Sequence, residues 1–513
     1  MRILFSALIL VLGSNLSLKA QITGNLPASE IESISQNSIS NMASIGDTIY
    51  IGPKLQRNIN FEANPEWFVA SGLDSLITGG GSVYSFSLSP DTVLAGVGRT
   101  IKIRGDNAPA GYGFYLSTSG GDDDSWQWID FPLDDRDDSL YTYGSKTYNK
   151  LPVVVAGESP PYDVAHRGNT LFAAAWASGV MRSTDFGQTW KRIISPPAFV
   201  DTLTPERTYN YSFDPRNDNN LLGFSVHIDS DGWVWHGSAG GVNISPNALT
   251  APPDSIIWYH RRVGQGQPGD QLLGNWVTFI DEDETGRIWM TNWIAAAGEQ
   301  FGIVSTDNKG RTFNRYLAGE KIYQVSVDGE HVVATGDNGL FISKNGGQSW
   351  NQITSIQNDF GFIKPSATYY GNALINDRIW VSTSDGIATT TDLNTWEIIR
   401  VNLNSEQGNQ FQDDPPNVET YAYPNPFSPS RHEYQRIRVE AQNNGNQNVT
   451  IRLYDFSMNL IRELDSRSID TESAFEAIWD GKDGDGKLVH NGAVFYSVEI
   501  GGKRVNGKIM VLD

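Results

Sequence analysis

One alternation of polar turn and apolar strand recurs along the chain. Gly46-Asp47 precedes Thr48-Ile49-Tyr50-Ile51, and Pro90-Asp91 precedes Thr92-Val93-Leu94-Ala95. The same step follows at Gly168-Asn169 before Thr170-Leu171-Phe172-Ala173, and at Ser230-Asp231-Gly232 before Trp233-Val234-Trp235. It returns at Thr285-Gly286-Arg287-Ile288-Trp289, at Asp328-Gly329-Glu330-His331-Val332-Val333-Ala334 and at Asn376-Asp377-Arg378-Ile379-Trp380-Val381. Each turn lies between two β-rich runs, as the hairpin between the two innermost strands of a sheet does. Seven copies predict seven sheets of one kind between about residue 38 and residue 400. Uneven spacing, widest between the second and third copies, places insertions around residues 134–150 and 195–220.

A second motif runs in phase with the first. Ser183-Thr184-Asp185-Phe186-Gly187-Gln188-Thr189-Trp190 suits a tight hairpin. Asp185 can bond its own turn, Gly187 can take positive φ, and Trp190 can bury a ring as the next strand begins. The octets at Thr306-Asp307-Asn308-Lys309-Gly310-Arg311-Thr312-Phe313 and Ser343-Lys344-Asn345-Gly346-Gly347-Gln348-Ser349-Trp350 fit without gaps, with Asn in the Asp place. Thr390-Thr391-Asp392-Leu393-Asn394-Thr395-Trp396 is one residue short, and the turn from Ser117 to Trp126 carries extra acidic residues. At Ser245 the turn has decayed into Pro246-Asn247-Ala248. A Gly stands four residues before each: Gly113, Gly179, Gly241, Gly302, Gly339 and Gly386. The first sheet has no such octet, and Pro65-Glu66-Trp67-Phe68 stands in for its outer strand.

The octet resembles the Asp-box of sialidases, sortilin-type receptors and many bacterial β-propellers. That resemblance implies an all-β fold with a seven-bladed β-propeller over residues 21–401. It also implies that the boxes lie opposite the binding face, so that Asp185, Asn308, Asn345 and Asp392 are structural. Trp190, Phe313, Trp350 and Trp396 are then expected to be largely buried and to hold outer strands to their neighbours. Sialidases mark the first arginine of their substrate triad with Arg-Ile-Pro. Here Arg99-Thr100-Ile101 and Arg104-Gly105-Asp106 do not match it. Xyloglucanases also carry Asp-boxes but typically use two propellers, and only one fits in this chain. No catalytic residue is assigned.

The chain's 513 residues, with 51 glycines and 11% aromatics, suit a turn-dense β protein. A formal charge of −21 disfavours nucleic acid and anionic membrane as partners. The absence of cysteine excludes disulfides, thiolate nucleophiles and cysteine-ligated zinc. Seven scattered histidines give no metal-ligand spacing, so neither a metal nor a cofactor is expected. Asp483 and Asp485 before Gly486 echo a calcium loop, but a bidentate Glu at the loop's end is missing and a plain turn is expected.

At the start, Met1-Arg2, an apolar run from Ile3 to Leu12 and small residues up to Ala20 read as a secretory signal peptide over residues 1–20. No later run reaches the length of a membrane span. An exported chain without cysteine points to a secreted or outer-surface protein of a Gram-negative bacterium. Residues 402–419, with Pro415-Pro416, read as a linker that keeps its two sides apart. Residues 420–513 then form a separate unit. It opens on Tyr421-Ala422-Tyr423-Pro424-Asn425-Pro426-Phe427, alternates over 449–454 and 494–498, carries Trp479-Asp480-Gly481 and closes near Lys508. That order resembles the Ig-like domain of the flagellar hook-capping family and is similar to the C-terminal sorting domains of bacterial type IX secretion. The resemblance implies a small β-sandwich that outer-membrane secretion machinery recognises.

The site is expected where the loops after each sheet's second strand gather, opposite the octets. These loops carry Trp176, His236, Trp293, Asp337 and Asp385. Exposed Trp can stack on sugar rings while carboxylates bond hydroxyls, which gives a monomer that binds a glycan or a cell-surface protein. The bland account is packing between sheets for Trp and turn formation for Asp. A glycoside hydrolase with an unrecognised site and a structural envelope component are the alternatives.

Overall fold

Turn residues fix where the strands of this chain begin and end. The computed structural model describes residues 38–399 and 420–513, apart from 63–66, 74–80, 268, 359–360, 364–365, 433, 441–446, 470–473 and 501–502. The expected leader and linker lie outside the described residues. The fold is all-β, with no α-helix among the described residues.

Every one of the seven expected hairpins joins the first two strands of a sheet. The first strands are Asn41–Ile45, Ser82–Leu88, Pro161–Arg167, Gly223–Ile228, Trp276–Glu282, Ile322–Asp328 and Tyr369–Ile375. Each packs against the next, and the last packs against the first, so the sheets close a ring. Five sheets have four strands in meander order. The fourth gains an outer fifth strand, Thr202–Leu203. The first sheet has three strands, and Phe68 bridges Arg57 at its outer edge with paired backbone bonds of 2.9 and 3.0 Å.

The innermost strand of each sheet presents unpaired backbone groups at its free edge, which is costly unless something bonds them. Side chains from the preceding sheet do so. Asn41 Nδ2 donates to Val83 O (2.9 Å), Ser85 Oγ to Pro161 O (3.0 Å) and Ser225 Oγ to Val277 O (2.9 Å). Asp163 Oδ2 accepts from Val226 N (2.9 Å), and Gln324 Nε2 donates to Asn372 O (2.8 Å). At the fifth-to-sixth seam Phe279 occupies the equivalent place, and Trp293 Nε1 bonds Ile322 O instead (2.7 Å). The ring closes through Ile39 N to Thr383 O (2.9 Å) and a core of Ile39, Met42, Ile51, Ala373, Trp380 and Ile387.

In all six octet turns the leading hydroxyl accepts from a backbone N–H of its own turn. Ser183 Oγ accepts from Gly187 N (2.8 Å), while Asp185 accepts from Thr189 N (2.9 Å) and Thr189 Oγ1 (2.6 Å). Thr306, Ser343 and Thr390 repeat the backbone bonds with Asn308, Asn345 and Asp392, and in the two Asn copies the amide Nδ2 donates to the Thr312 or Ser349 hydroxyl instead. Ser117 keeps the hydroxyl bond to Gly121 N (3.0 Å). The decayed copy keeps it too, from Ala248 N to Ser245 Oγ (2.9 Å). The Gly ahead of each octet has a steric cause. A Cβ at Gly241 or Gly339 would meet a fourth-strand carbonyl, Arg261 O at 2.1 Å or Ile353 O at 2.4 Å, and both residues hold positive φ. Of the octet aromatics, Phe313 and Trp396 are buried as expected. Trp190 and Trp350 are only partly buried, because each lies at an outer edge with one face covered. Trp190 stacks on Phe114 of the preceding sheet at 5.0 Å.

The two insertions pack together. The hairpin Leu140–Tyr143 and Lys146–Asn149 joins the second insertion through Phe213, whose ring lies 5.7 Å from Tyr148. In the C-terminal unit, strands Thr420–Tyr423, Gln435–Glu440 and Ala474–Trp479 form one sheet. Leu460–Ile469, Gln447–Tyr454, Gly492–Ile500 and Lys503–Val511 form the other. Both contribute to one core, including Ile437, Val439, Trp479, Val449, Ile451, Val498 and Val511. Asp483 Oδ1 accepts from Asp485 N (3.0 Å) and Lys487 N (2.9 Å), the bonds of a plain turn. Contrary to the expectation that the linker keeps its two sides apart, this unit touches the ring where His432 stacks on Phe362 at 5.3 Å.

Candidate binding site at the channel mouth

The innermost strands begin on the face opposite the octets. The first hairpins and the octets share one face, since Phe186 N donates to Asn169 O (3.0 Å) and Gly346 N to Glu330 O (2.9 Å). Strand starts and second-to-third-strand loops therefore share the other face. There, six of the seven innermost strands carry a β-bulge at one place, centred on Tyr84, Tyr162, Phe224, Thr278, Tyr323 and Tyr370. A bulge twists the strand and re-aims the extra residue. Five of the six are aromatic, and they meet across the seams. Tyr84 and Tyr162 lie 6.0 Å apart, Tyr162 and Phe224 5.9 Å, and Phe224 and Trp276 5.2 Å. A second, shorter arc runs Trp293–Tyr323 (5.3 Å) and Tyr323–Tyr370 (5.6 Å).

The residues expected at this face are only partly gathered there. Trp176 joins the long arc, 5.0 Å from Phe224 and 5.8 Å from Trp276. Trp293 joins the short arc, but its indole N–H latches the sixth sheet and Lys321 Nζ covers its face at 4.4 Å. Asp337 accepts from Tyr323 OH (2.7 Å) and lies 3.7 Å from Lys321 Nζ. Asp385 is 3% exposed, inside its turn, where its N–H donates to Thr383 Oγ1 (2.9 Å). His236 is not on a loop at all. The second strand of the fourth sheet runs on to Ser238, so His236 is fully buried, with Nδ1 3.1 Å from Ser195 Oγ. Burial pushes its pKa down to about 3, which keeps the ring neutral.

Two carboxyl groups, Asp163 and Asp281, lie on the innermost strands of the third and fifth sheets. Burial pushes the Asp163 carboxyl up to about 7, against the pull of two backbone N–H donors and of His227. Asp281 is raised by burial as well. Both keep some accessible surface although protein surrounds them. His227 stands between them on the fourth sheet, and its Nε2 has no hydrogen-bond partner among the described residues. No group of three or more metal-ligating side chains occurs among the described residues.

No protein-family model and no curated protein matches the chain. Among solved structures, it is similar to Ycf48 from Cyanidioschyzon merolae at 16% identity and TM-score 0.42, covering 71% of this chain and 99% of that one. It is similar to a GH74 xyloglucanase from Xanthomonas campestris at 14% identity and TM-score 0.44, covering 71% and 53%. PorZ, a surface component of the type IX secretion system of Porphyromonas gingivalis, matches at 14% identity and TM-score 0.33, covering 93% and 66%.

Two sets of residues escape a reading of the sequence. The bulged aromatics do have a signal: Tyr84, Tyr162, Phe224 and Tyr370 each stand six residues before the hairpin turns that open at Pro90, Gly168, Ser230 and Asn376. The innermost-strand acids Asp163 and Asp281 have none, because nothing in their local sequence distinguishes them from turn carboxylates.

Proposed function

We propose that this chain is a secreted or cell-surface bacterial protein built on a seven-bladed Asp-box β-propeller. It binds a glycan or protein partner at the channel mouth. A C-terminal Ig-like domain serves its secretion or surface anchoring. The closed cycle of seven sheets and the shared octet bonding support the propeller reading, and two sheets over one core support the Ig-like one. The observation that carries the binding function is the connected arc Tyr84–Tyr162–Phe224–Trp276, with Trp176 beside it. Its rings stay partly accessible at the mouth, except Phe224, which is buried beneath them. Aromatic faces of this kind stack on sugar rings or seat apolar side chains.

A glycan array on the purified protein is expected to give hits, and hydrolysis assays on those hits are expected to show no turnover. Release of reducing ends would replace the binding protein with the hydrolase. For the tail, a periplasmic reporter fused to residues 402–513 is expected to reach the surface of a type IX-competent bacterium. Retention in the periplasm would leave the unit a fixed structural module.

A further inference from the structure

We infer that the outer rim of the seam between the fourth and fifth sheets holds a second site, apart from the mouth, for an oxyanion: a carboxylate or sulfate group gripped by Arg261, Arg262 and Arg311. The three side chains line one open cleft of about 380 Å³, together with Gln265, Asp201 and Asp270. That volume falls in the range of small-ligand sites. Arg261 ends the outer strand Trp258–Arg261 of the fourth sheet, Arg262 follows it, and Arg311 is the sixth residue of the fifth sheet's octet. Three guanidinium groups against two carboxylates leave the cleft positive, in a chain whose formal charge is −21. The local field there favours an anion.

The chain's own bonds leave donors over. Arg261 Nε donates to Gly310 O (2.8 Å) and Nη1 to His260 O (3.0 Å), both backbone carbonyls. The guanidinium is thereby held in place, with Nη2 unused among the described residues. Burial pulls its pKa below the ordinary value, Asp201 opposes that, and the Arg311 charge adds to it. A half-buried cation close to a second cation gains from an anion between them. Arg262 Nη1 donates to Asp201 Oδ1 (2.8 Å), and Gln265 Nε2 donates to the same oxygen. The Asp201 carboxylate is thus engaged without an ion pair to Arg261. Arg311 makes no side-chain hydrogen bond or ion pair among the described residues. The octet does not require an arginine there, since Gln188 and Gln348 stand at the same position in the third and sixth sheets. Planar guanidinium forks present paired N–H groups that take an oxyanion two oxygens at a time.

The test is titration calorimetry of the full chain, at low ionic strength and neutral pH, with sodium glucuronate, sodium sulfate, glucose and tetragalacturonate. Glucuronate and sulfate are expected to bind, and glucose is not. Arg311→Gln places glutamine where two sister octets carry it. It should weaken glucuronate binding about tenfold, the scale of one charge-assisted contact, with an unchanged melting temperature. Arg262→Gln should weaken binding to the same extent, with a small loss of stability from its exposed pair with Asp201. A small acid and an acidic sugar chain offer the same group, and the tetramer separates them. Tetragalacturonate binding tighter than glucuronate by about tenfold or more would assign the group to a sugar chain, and equal binding would assign it to a free acid, the site standing in both cases. No heat from glucuronate or sulfate would overturn it. Glucose binding as tightly as glucuronate, or full affinity for glucuronate in both variants, would overturn it as well.

Discussion

Trp380→Ala is expected to lower the unfolding free energy by about 3–5 kcal/mol, the range for emptying a buried aromatic site. Trp380 is 1% exposed and lies on the second strand of the seventh sheet, Arg378–Thr383. Its ring meets Phe61 edge-on at 4.7 Å and Trp67 at 6.3 Å, both from the segment that follows the first sheet's third strand. The cavity therefore opens at the seam where the end of the chain's repeat meets its beginning. No covalent link crosses that seam, which packing, a few hydrogen bonds and the Arg378–Glu62 ion pair hold. A denaturant melt with a midpoint matching wild type would show that the seam does not depend on this ring.

Asp229→Ala should cost a similar amount, about 3–5 kcal/mol, because it breaks a buried charged network. Asp229 is 0% exposed. Its Oδ1 accepts from Trp233 N (2.8 Å), and its Oδ2 accepts from Trp235 Nε1 (2.8 Å) and Lys309 Nζ (2.7 Å). Burial works against the Lys309 ammonium, yet Asp229 and Asp231 together hold its pKa above the ordinary value. Removing Asp229 leaves the buried Trp235 indole N–H without an acceptor. The fifth sheet repeats the device, with Asp283 Oδ2 accepting from Trp289 Nε1 at 2.9 Å. Thermal melts should show Asp229→Asn losing less than Asp229→Ala, since the amide oxygen can still accept one bond. Equal losses from both would place the effect in charge alone.

Turn chemistry is local, which is why so much of the ring was legible. A Gly-Asp or Asn-Asp pair, or a Ser whose hydroxyl caps its own turn, specifies a hairpin without reference to the rest of the fold. The hairpins and octets accordingly fall where residues such as Asp47, Asn376, Ser183 and Thr390 place them. What is not local is not legible in the sequence. The sequence places His236 on a loop, whereas the end of its strand is fixed at a distance, by Ser238 and Asn243 both bonding Asn220. Tyr162 and Phe224 look like core residues in an apolar strand. Only the bulge turns them to the mouth, and a bulge is set by pairing, not by composition. Asp229 and Asp283 stand one or two residues ahead of recognised turns, where their grip on Trp235 and Trp289 is visible only in three dimensions.

The central claim, that the channel mouth and not the octet face binds the partner, is tested most directly by titrating the strongest array hit against paired variants. Tyr162→Ala with Trp276→Ala removes two mouth aromatics, while Gln188→Ala with Gln348→Ala alters two exposed positions on the octet face. With about 1 kcal/mol for each stacking contact, the mouth variant should weaken binding about tenfold or more, and the octet variant should bind as wild type does. Unchanged affinity in the mouth variant, or a loss confined to the octet variant, would contradict the account.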